Sequence, residues 1–154
     1  MPSIQQLSDQ TLSDQELFDE LSFYTLAHTD PAFIHENSAD AYRAQHVDEA
    51  IKPIAVVFSV IGLYLYLEKG FTGRQVQLAH MRMAKHRKTW PRLPLPTSQA
   101  SITVSDVLAK PPGPQRDGMI HQWCQSVWRT WQDSRDQIVE IAKTELDVDS
   151  PERS

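Results

Sequence analysis

The sequence predicts an all-α protein, a single-domain helical bundle around a central apolar helix of about residues 53–69. Apolar side chains recur at the helical period in successive segments, and no alternating pattern between turn residues indicates a strand. The run from Ile54 to Leu67 is almost entirely apolar, which is typical of a helix covered on every side. A chain of 154 residues is long enough to bury such a core.

Local signals predict the first two helices. Ser13 and Glu16 have the spacing of a capping box, in which each side chain satisfies a free amide of the other, and they predict a helix over 14–28. Asp30 is a suitable N-cap, and the proline after it costs no hydrogen bond at a first helical position. We therefore expect a second helix over about 31–47.

The central helix is expected to begin at Pro53 and to end before Gly70. Its apolar run is shorter than the roughly 20 residues that span a bilayer, so we expect no membrane span. Thr72 and Gln75 form a second capping-box pattern, which opens a fourth helix to about Lys88.

The C-terminal third contains a break and then a long helix. Prolines in 89–102 predict an extended connection, after which Thr103 and Asp106 cap a short helix. A single final helix is predicted from about Pro114 to Glu145. Its apolar face comprises Ile120, Trp123, Cys124, Val127, Trp131, Ile138, Ile141 and Ala142.

Composition narrows the class of protein. Cys124 is the single cysteine, so an internal disulfide and a Cys-rich zinc site are excluded. The first ten residues lack the basic-then-apolar pattern of a signal peptide, and we expect a cytoplasmic protein. The net charge of -5 argues against extensive nucleic-acid binding. The polar ends, 1–12 and 147–154, are expected to be flexible, which leaves 13–146 as the helical domain.

The segment from His28 to His46 is the richest in groups with acid–base and metal-binding chemistry. On a helix, Tyr42 and His46 each lie about 20° from His35, on either side. The opposite side carries Glu36, Asn37, Asp40 and Arg43. Because a helix usually turns its charged side to water, we expect the stripe of His35, Tyr42 and His46 to face the interior. There it would either line a ligand pocket or fix helix packing through hydrogen bonds.

A metal site would draw its ligands from several helices. His35 and His46 lie roughly 16 Å apart along the helix axis and cannot share an ion. His80 lies on the apolar stripe of its own helix, and His28 with His35 forms a second possible cluster. The candidate ligands of a divalent transition metal are His46, His80, His121 and Cys124, and the candidate catalytic groups are Tyr42 and Asp40.

Two further features allow more than one interpretation. The basic segment 82–92 includes Trp90 and could contact phosphates, but cations at a helix C-terminus also compensate the helix dipole. Trp128 lies at the edge of the final helix's apolar face, near His121. It is expected to pack in the core, with a ligand pocket or a dimer seam as the alternatives.

Several short motifs resemble a bacterial family, domain of unknown function 5946. They are the pattern H-x4-D-A-Y-x2-Q-H from His35 to His46 and the segments LEKG, ITVSDVL and HQWCQSVWRTW. Together they cover roughly residues 28–138. The resemblance implies a bacterial source and supplies no activity, substrate or cofactor.

The sequence therefore favours a non-catalytic module that binds a small molecule or interacts with a partner, including a second copy of itself. Its candidate pocket residues are His35, Tyr42, His46 and Trp128. The alternatives are a metal-dependent enzyme with a histidine site inside the bundle and a weak nucleic-acid binder that uses 82–92.

Overall fold

The computed structural model describes residues 13–27, 30, 32–86 and 89–146. In that part of the chain the structure is helical without strands, which confirms the predicted fold class. The α-helices are α1 (Asp14–Ala27), α2 (Ile34–Gln45), α3 (Pro53–Lys69), α4 (Gly73–His86), α5 (Val104–Leu108), α6 (Pro114–Arg129) and α7 (Arg135–Leu146). Some of the predictions concern residues outside the described ranges, namely 1–12, His28, Pro31, Arg87, Lys88 and 147–154.

The structure contains the capping boxes that predicted three of the helix starts. The amide of Glu16 donates to Ser13 Oγ at 3.1 Å, and the amide of Ser13 donates to Glu16 Oε1 at 3.3 Å. Thr72 with Gln75 and Thr103 with Asp106 form the same reciprocal arrangement. These boxes satisfy amides that a helix start leaves free, so short sequence patterns located three helix starts.

The start of α2 differs from the prediction. The helix begins at Ile34, and its N-cap residue is Phe33, whose φ of 56° lies in the left-handed region. Asp30 instead caps the preceding turn, because its carboxylate accepts hydrogen bonds from the amides of Ala32 at 2.9 Å and Ile34 at 3.4 Å. Because of this turn, the helix begins three residues later than the predicted start at about 31.

The prediction of a single long C-terminal helix was wrong. The chain leaves the α-helix after Arg129, passes through a 3₁₀ turn at Gln132–Ser134 and enters α7. Thr130 Oγ1 donates to the carbonyl of Val127 at 2.7 Å, and Gln132 Nε2 donates to the carbonyl of Trp128 at 3.1 Å. Side chains thus satisfy free carbonyls at the end of α6. The sequence contains no glycine or proline here, which are the residues that usually indicate a helix end.

The central position of α3 is confirmed. It packs against α2, α4, α6 and α7, and its middle section is fully buried. Ser59 Oγ donates to the carbonyl of Val56 at 2.8 Å, which satisfies the hydroxyl within the apolar run. Trp123 and Trp131 fill the core beside it, as predicted. None of the helices in the described ranges is long and apolar enough to cross a membrane.

The sequence did not identify α2 as a second internal helix. It packs against α1, α3, α4 and α6, so both of its long sides are covered. Several side-chain hydrogen bonds connect it to the C-terminal half. Trp123 Nε1 donates to Gln45 Oε1 at 2.8 Å, Gln45 Nε2 donates to the carbonyl of Ile102 at 2.9 Å, and Trp131 Nε1 donates to the carbonyl of Ala44 at 3.1 Å.

Candidate metal centre

The predicted rotation of α2 was wrong for three of the four residues on its polar side. Asn37 and Asp40, which were expected to face water, are buried, and the side chain of Glu36 is only 15% exposed, whereas Arg43 is exposed as expected. His35, Tyr42 and His46, which were expected to face the interior, are half-buried. The reason is the packing of α2 between other helices. Because four other helices contact α2, the rule that charged side chains point to water does not determine its orientation.

The stripe of His35, Tyr42 and His46 forms the contact between α2 and α1. A hydrogen bond of 2.9 Å joins His35 Nδ1 to Thr25 Oγ1, and burial lowers the pKa of His35. The rings of Phe18 and Tyr42 stack with their centroids 4.2 Å apart, and those of Tyr42 and His46 stack at the same distance. These contacts give the three residues a role in helix packing.

Both ring nitrogens of His46 already have partners. Nδ1 lies 2.9 Å from the carbonyl oxygen of Tyr42, and Nε2 lies 2.9 Å from Asp14 Oδ2. Tyr42 donates its hydroxyl to Gln15 Oε1 at 3.3 Å. Burial, followed by the charge of Asp14, raises the pKa of Tyr42. His46 would have to give up a hydrogen bond before it could bind a metal ion.

On the other side of α2, the carboxylate of Asp40 is buried in the space beside Gly62 of α3. Asp40 is 5% exposed, and its Oδ2 atom has no hydrogen-bond partner among the described residues. A Cβ atom at Gly62 of α3 would overlap this carboxylate, so the absence of a side chain there makes room for the acid. Burial, followed by the charge and hydrogen bond of Glu36, raises the pKa of Asp40 well above its usual range.

His80 reaches this carboxylate cluster from α4. Its Nε2 atom lies 2.7 Å from the carbonyl oxygen of Phe58, and because a carbonyl only accepts, Nε2 carries the proton. The other nitrogen, Nδ1, lies 3.7 Å from Glu36 Oε2. Burial lowers the pKa of His80, although the nearby Glu36 carboxylate opposes that shift. The neutral ring thus keeps a lone pair on Nδ1, on the side of the carboxylates.

Glu36, Asp40 and His80 bring one ligand atom each to within 4.8 Å of one another. The spacing of the two acids, four residues apart, places them one turn apart on the same side of α2. We call these three residues the metal-ligand cluster. Of the metal ligands expected from sequence, His80 belongs to it, and Asp40, expected as a catalytic group, provides a second member.

A turn of backbone fixes the position of His80 relative to Glu36. The amide of Arg74, at the start of α4, donates to the carbonyl of Ala32 at 3.1 Å. A Cβ atom at Gly73 would collide with the carbonyl oxygen of Phe33, so only glycine allows the two chain segments to approach this closely. The turn before α2 therefore holds the first turn of α4, and the two ligand-bearing helices are joined at their N-terminal ends.

A cavity of about 260 Å³ adjoins the cluster. Asp40 and His80 form part of its wall, and aromatic rings from three helices form much of the remainder. The ring of Phe58 also stacks on the imidazole of His80, with centroids 5.1 Å apart, and holds its orientation. The cavity is lined by Gln15, Phe18, Ala39, Asp40, Tyr42, Arg43, Ala55, Phe58, Ser59 and His80.

The other sequence-predicted candidates lie outside the cluster. His121 Nδ1 lies 2.7 Å from the hydroxyl oxygen of Tyr66. The thiol of Cys124 donates to the carbonyl of Asn37 at 3.5 Å, and burial raises its pKa, so the thiol stays protonated. Trp128 is buried and donates to Glu68 Oε2 at 2.8 Å.

Sequence reasoning missed Glu36 as a ligand because it assigned the acidic side of α2 to solvent. Two signals pointed the other way. One is Gly62, an isolated glycine in a fully apolar helix, which often marks a close approach by another group. The other is the pair of acids one turn apart in a helix that also carries four alanine or serine side chains and little other charge.

Fold and site together define an all-α helical bundle with a buried carboxylate–histidine cluster between three of its helices. The chain belongs to a family of unknown function (DUF5946), whose model matches residues 9–132. The resemblance seen in the sequence motifs is thereby confirmed. No curated protein matches the chain, and no solved structure does.

Proposed function

We propose that this protein binds a divalent transition-metal ion through Glu36, Asp40 and His80, and that the ion anchors a small molecule in the adjoining cavity. The observation that carries the proposal is the buried Oδ2 atom of Asp40, which has no hydrogen-bond partner among the described residues. An unpaired buried acceptor costs about 1–3 kcal/mol. A cation between the carboxylates and the imidazole would remove that cost, and it would replace the proton that the raised pKa keeps on Asp40.

The imidazole of His80 already has the orientation and the tautomer that a metal ligand needs. A metal-binding imidazole usually donates its second N–H to a carbonyl or a carboxylate, which fixes the tautomer and the ring orientation. His80 has this arrangement, since its Nε2 proton faces the carbonyl of Phe58 and its Nδ1 atom faces the acids. Its lowered pKa also removes competition from a proton on the free nitrogen.

The ligand set restricts the metal. Two carboxylates and one imidazole suit manganese, iron and zinc, whereas magnesium and calcium prefer oxygen ligands alone. With metal–ligand bonds of about 2.1 Å in tetrahedral geometry, two donors lie roughly 3.4 Å apart. The cluster atoms lie within 4.8 Å of one another, so the most distant pair needs to converge by up to about 1.4 Å. Rotation of the Glu36 side chain would supply that movement.

Three protein ligands leave coordination positions open, and the cavity lies on the same side as Asp40 and His80. A donor atom of a small molecule could occupy such a position. Apart from the ligands, the polar groups of the cavity wall are Gln15, Tyr42, Arg43 and Ser59. Tyr42 and Ser59 already donate hydrogen bonds within the protein, and none of the four is a general base at neutral pH. We therefore favour a binding module over a hydrolytic enzyme, and we place it in the cytoplasm.

The test is titration of chelator-treated protein with Zn²⁺, Mn²⁺ and, without oxygen, Fe²⁺, followed by calorimetry. We expect one ion per chain. Asp40→Asn and His80→Gln are expected to weaken binding by at least about a hundredfold, since even loss of a group that only orients a ligand costs about 10–100-fold. His121→Gln is the matched control, because this histidine lies outside the cluster, and it is expected to bind like the wild type.

Thermal unfolding separates a lost site from a lost fold. Asparagine has the shape of the protonated acid, so the metal-free Asp40→Asn variant is expected to unfold at or above the wild-type temperature. At a hundredfold excess of ion over the wild-type Kd, the wild type gains about 2.7 kcal/mol, whereas a variant that binds a hundredfold more weakly gains only about 0.4 kcal/mol. Failure of all three metals to bind, or equal binding by folded Asp40→Asn, contradicts the proposal.

A further inference from the structure

Two helices on the surface each expose a pair of large apolar side chains. On α1 these are Phe23, 81% exposed, and Leu26, 58% exposed. On α4 they are Leu78, 56% exposed, and Met81, 55% exposed. The two residues of each pair are three positions apart in the sequence, so they lie on the same side of their helix. Adjacent exposed apolar groups of this kind are typical of surfaces that contact a partner.

The charges around the two pairs are opposite. Helix α1 contains no lysine, arginine or histidine, and its exposed side chains include Asp19 and Glu20. Helix α4 contains no aspartate or glutamate, and its exposed side chains include Arg82 and Lys85. At 100° per residue, the four residues Asp19, Glu20, Phe23 and Leu26 span an arc of about 120°, and those on α4 span about 100°. We call these arcs the acidic face of α1 and the basic face of α4.

The two faces also match in spacing. Starting from Asp19, the apolar residues Phe23 and Leu26 follow at four and seven residues. Starting from Lys85 in the opposite direction, Met81 and Leu78 occur at the same offsets. If two helices pack antiparallel, this order places Asp19 opposite Lys85, Phe23 opposite Met81 and Leu26 opposite Leu78. Glu20 and Arg82 are offset from this register by two residues, about 3 Å along the helix axis.

We propose that the acidic face of α1 on one copy of this protein packs antiparallel against the basic face of α4 on a second copy. The opposite charges of the two faces favour a second copy of this protein as the partner. Each molecule carries both the acidic face of α1 and the basic face of α4, and the apolar residues of both faces are exposed. If both pairings form at once between the same two copies, they give a symmetric dimer, and a single pairing generates a ring or an open chain of molecules. The proposal is independent of metal binding, since none of these residues lines the cavity next to the cluster.

The experiment measures molecular mass by sedimentation and by light scattering over a range of concentrations at low salt. Wild-type protein is expected to associate reversibly, and added salt is expected to weaken the association because ion pairs at a surface are screened. Phe23→Lys places a cation on the acidic face, and Met81→Glu places an anion on the basic face. Each variant alone is expected to associate at least about tenfold more weakly, which corresponds to roughly 1.4 kcal/mol.

Mixing the two variants provides the decisive result. Phe23→Lys retains an intact basic face and Met81→Glu retains an intact acidic face, so an equimolar mixture is expected to regain association. Gln137→Lys and Gln122→Glu introduce the same charges at exposed positions on α7 and α6 and are expected to behave like the wild type. Circular dichroism checks that all four variants are folded.

Three outcomes overturn the proposal. The first is a wild-type protein that stays monomeric at every concentration in low salt. The second is strong association that persists in either single variant, which would indicate a symmetric contact through one face alone. The third is a mixture of folded variants that fails to associate.

Discussion

Gly62→Ala is a sharp test of the buried site, because its effect on stability is expected to change sign with the residue at position 40. In an ordinary helix, replacing an internal glycine with alanine stabilises by about 1 kcal/mol. In this protein the new methyl group would overlap the carboxylate of Asp40, which is only 5% exposed.

The structure determines the steric cost of the new methyl group, which opposes the gain in helix propensity. The methyl group would also lie 3.2 Å from Val76 Cγ1, so neither neighbour leaves room for it. Inserting a methyl group into a packed core typically costs about 1–3 kcal/mol. After the gain in helix propensity is subtracted, Gly62→Ala is expected to destabilise the metal-free wild type by about 1 kcal/mol. In an Asp40→Ala background the overlap is absent, and the same change is expected to stabilise by about 1 kcal/mol.

The assay is urea unfolding of the four proteins in this double-mutant cycle, followed by tryptophan fluorescence and circular dichroism. The expected coupling energy between the two positions is about 2 kcal/mol, with an unchanged dependence of unfolding free energy on urea concentration. Asp40→Asn serves as the matched control, because it keeps the size of the side chain and should keep the clash. If Gly62→Ala stabilises the wild type as it would an ordinary helix, Asp40 is not packed against this glycine and the account of the site is wrong.

Three further measurements check other parts of the structure. Trp123→Phe removes the N–H that donates to Gln45 Oε1 and is expected to cost about 1–3 kcal/mol in urea unfolding, whereas an unchanged midpoint would show that the amide has another partner. The hydrogen bond from Arg135 lowers the pKa of Glu68, so this carboxylate stabilises the fold at neutral pH and loses that contribution as the pH falls through its folded-state pKa. A Glu68→Gln variant should therefore show a flatter fall in melting temperature with acid than the wild type, and parallel curves would contradict this assignment. The thiol of Cys124 is buried and has a raised pKa, so an aromatic disulfide reagent is expected to label it only at the rate of unfolding, and fast labelling of folded protein would exclude the burial described here.

The sequence was informative wherever a local rule decided the structure. The pattern of Ser13 and Glu16 located the start of α1, because both partners of the hydrogen bonds lie within four residues. The apolar run from Ile54 to Leu67 identified the central helix, since burial on every side needs no knowledge of the neighbours. These features depend on the chain close to the residue in question.

The sequence failed where distant segments decided the outcome. The orientation of α2 depends on four other helices that cover it, and on the space that Gly62 leaves for Asp40. The break after Arg129 depends on the side chains of Thr130 and Gln132 turning back to the helix end, which their residue types permit but do not require. A histidine stripe was visible in the sequence, but its partners on α1 became known only from the packing.

The backbone junction at Gly73 makes the metal-ligand cluster sensitive to inherited changes elsewhere in the chain. Any side chain at this position would push the turn before α2 away from the start of α4, and these two helices carry Glu36 and His80. Gly73 lies roughly 10 Å along the helix from His80. A survey that ranks natural variants by their distance from the ligands would class a Gly73 substitution as harmless, although it alters the spacing of the ligands themselves.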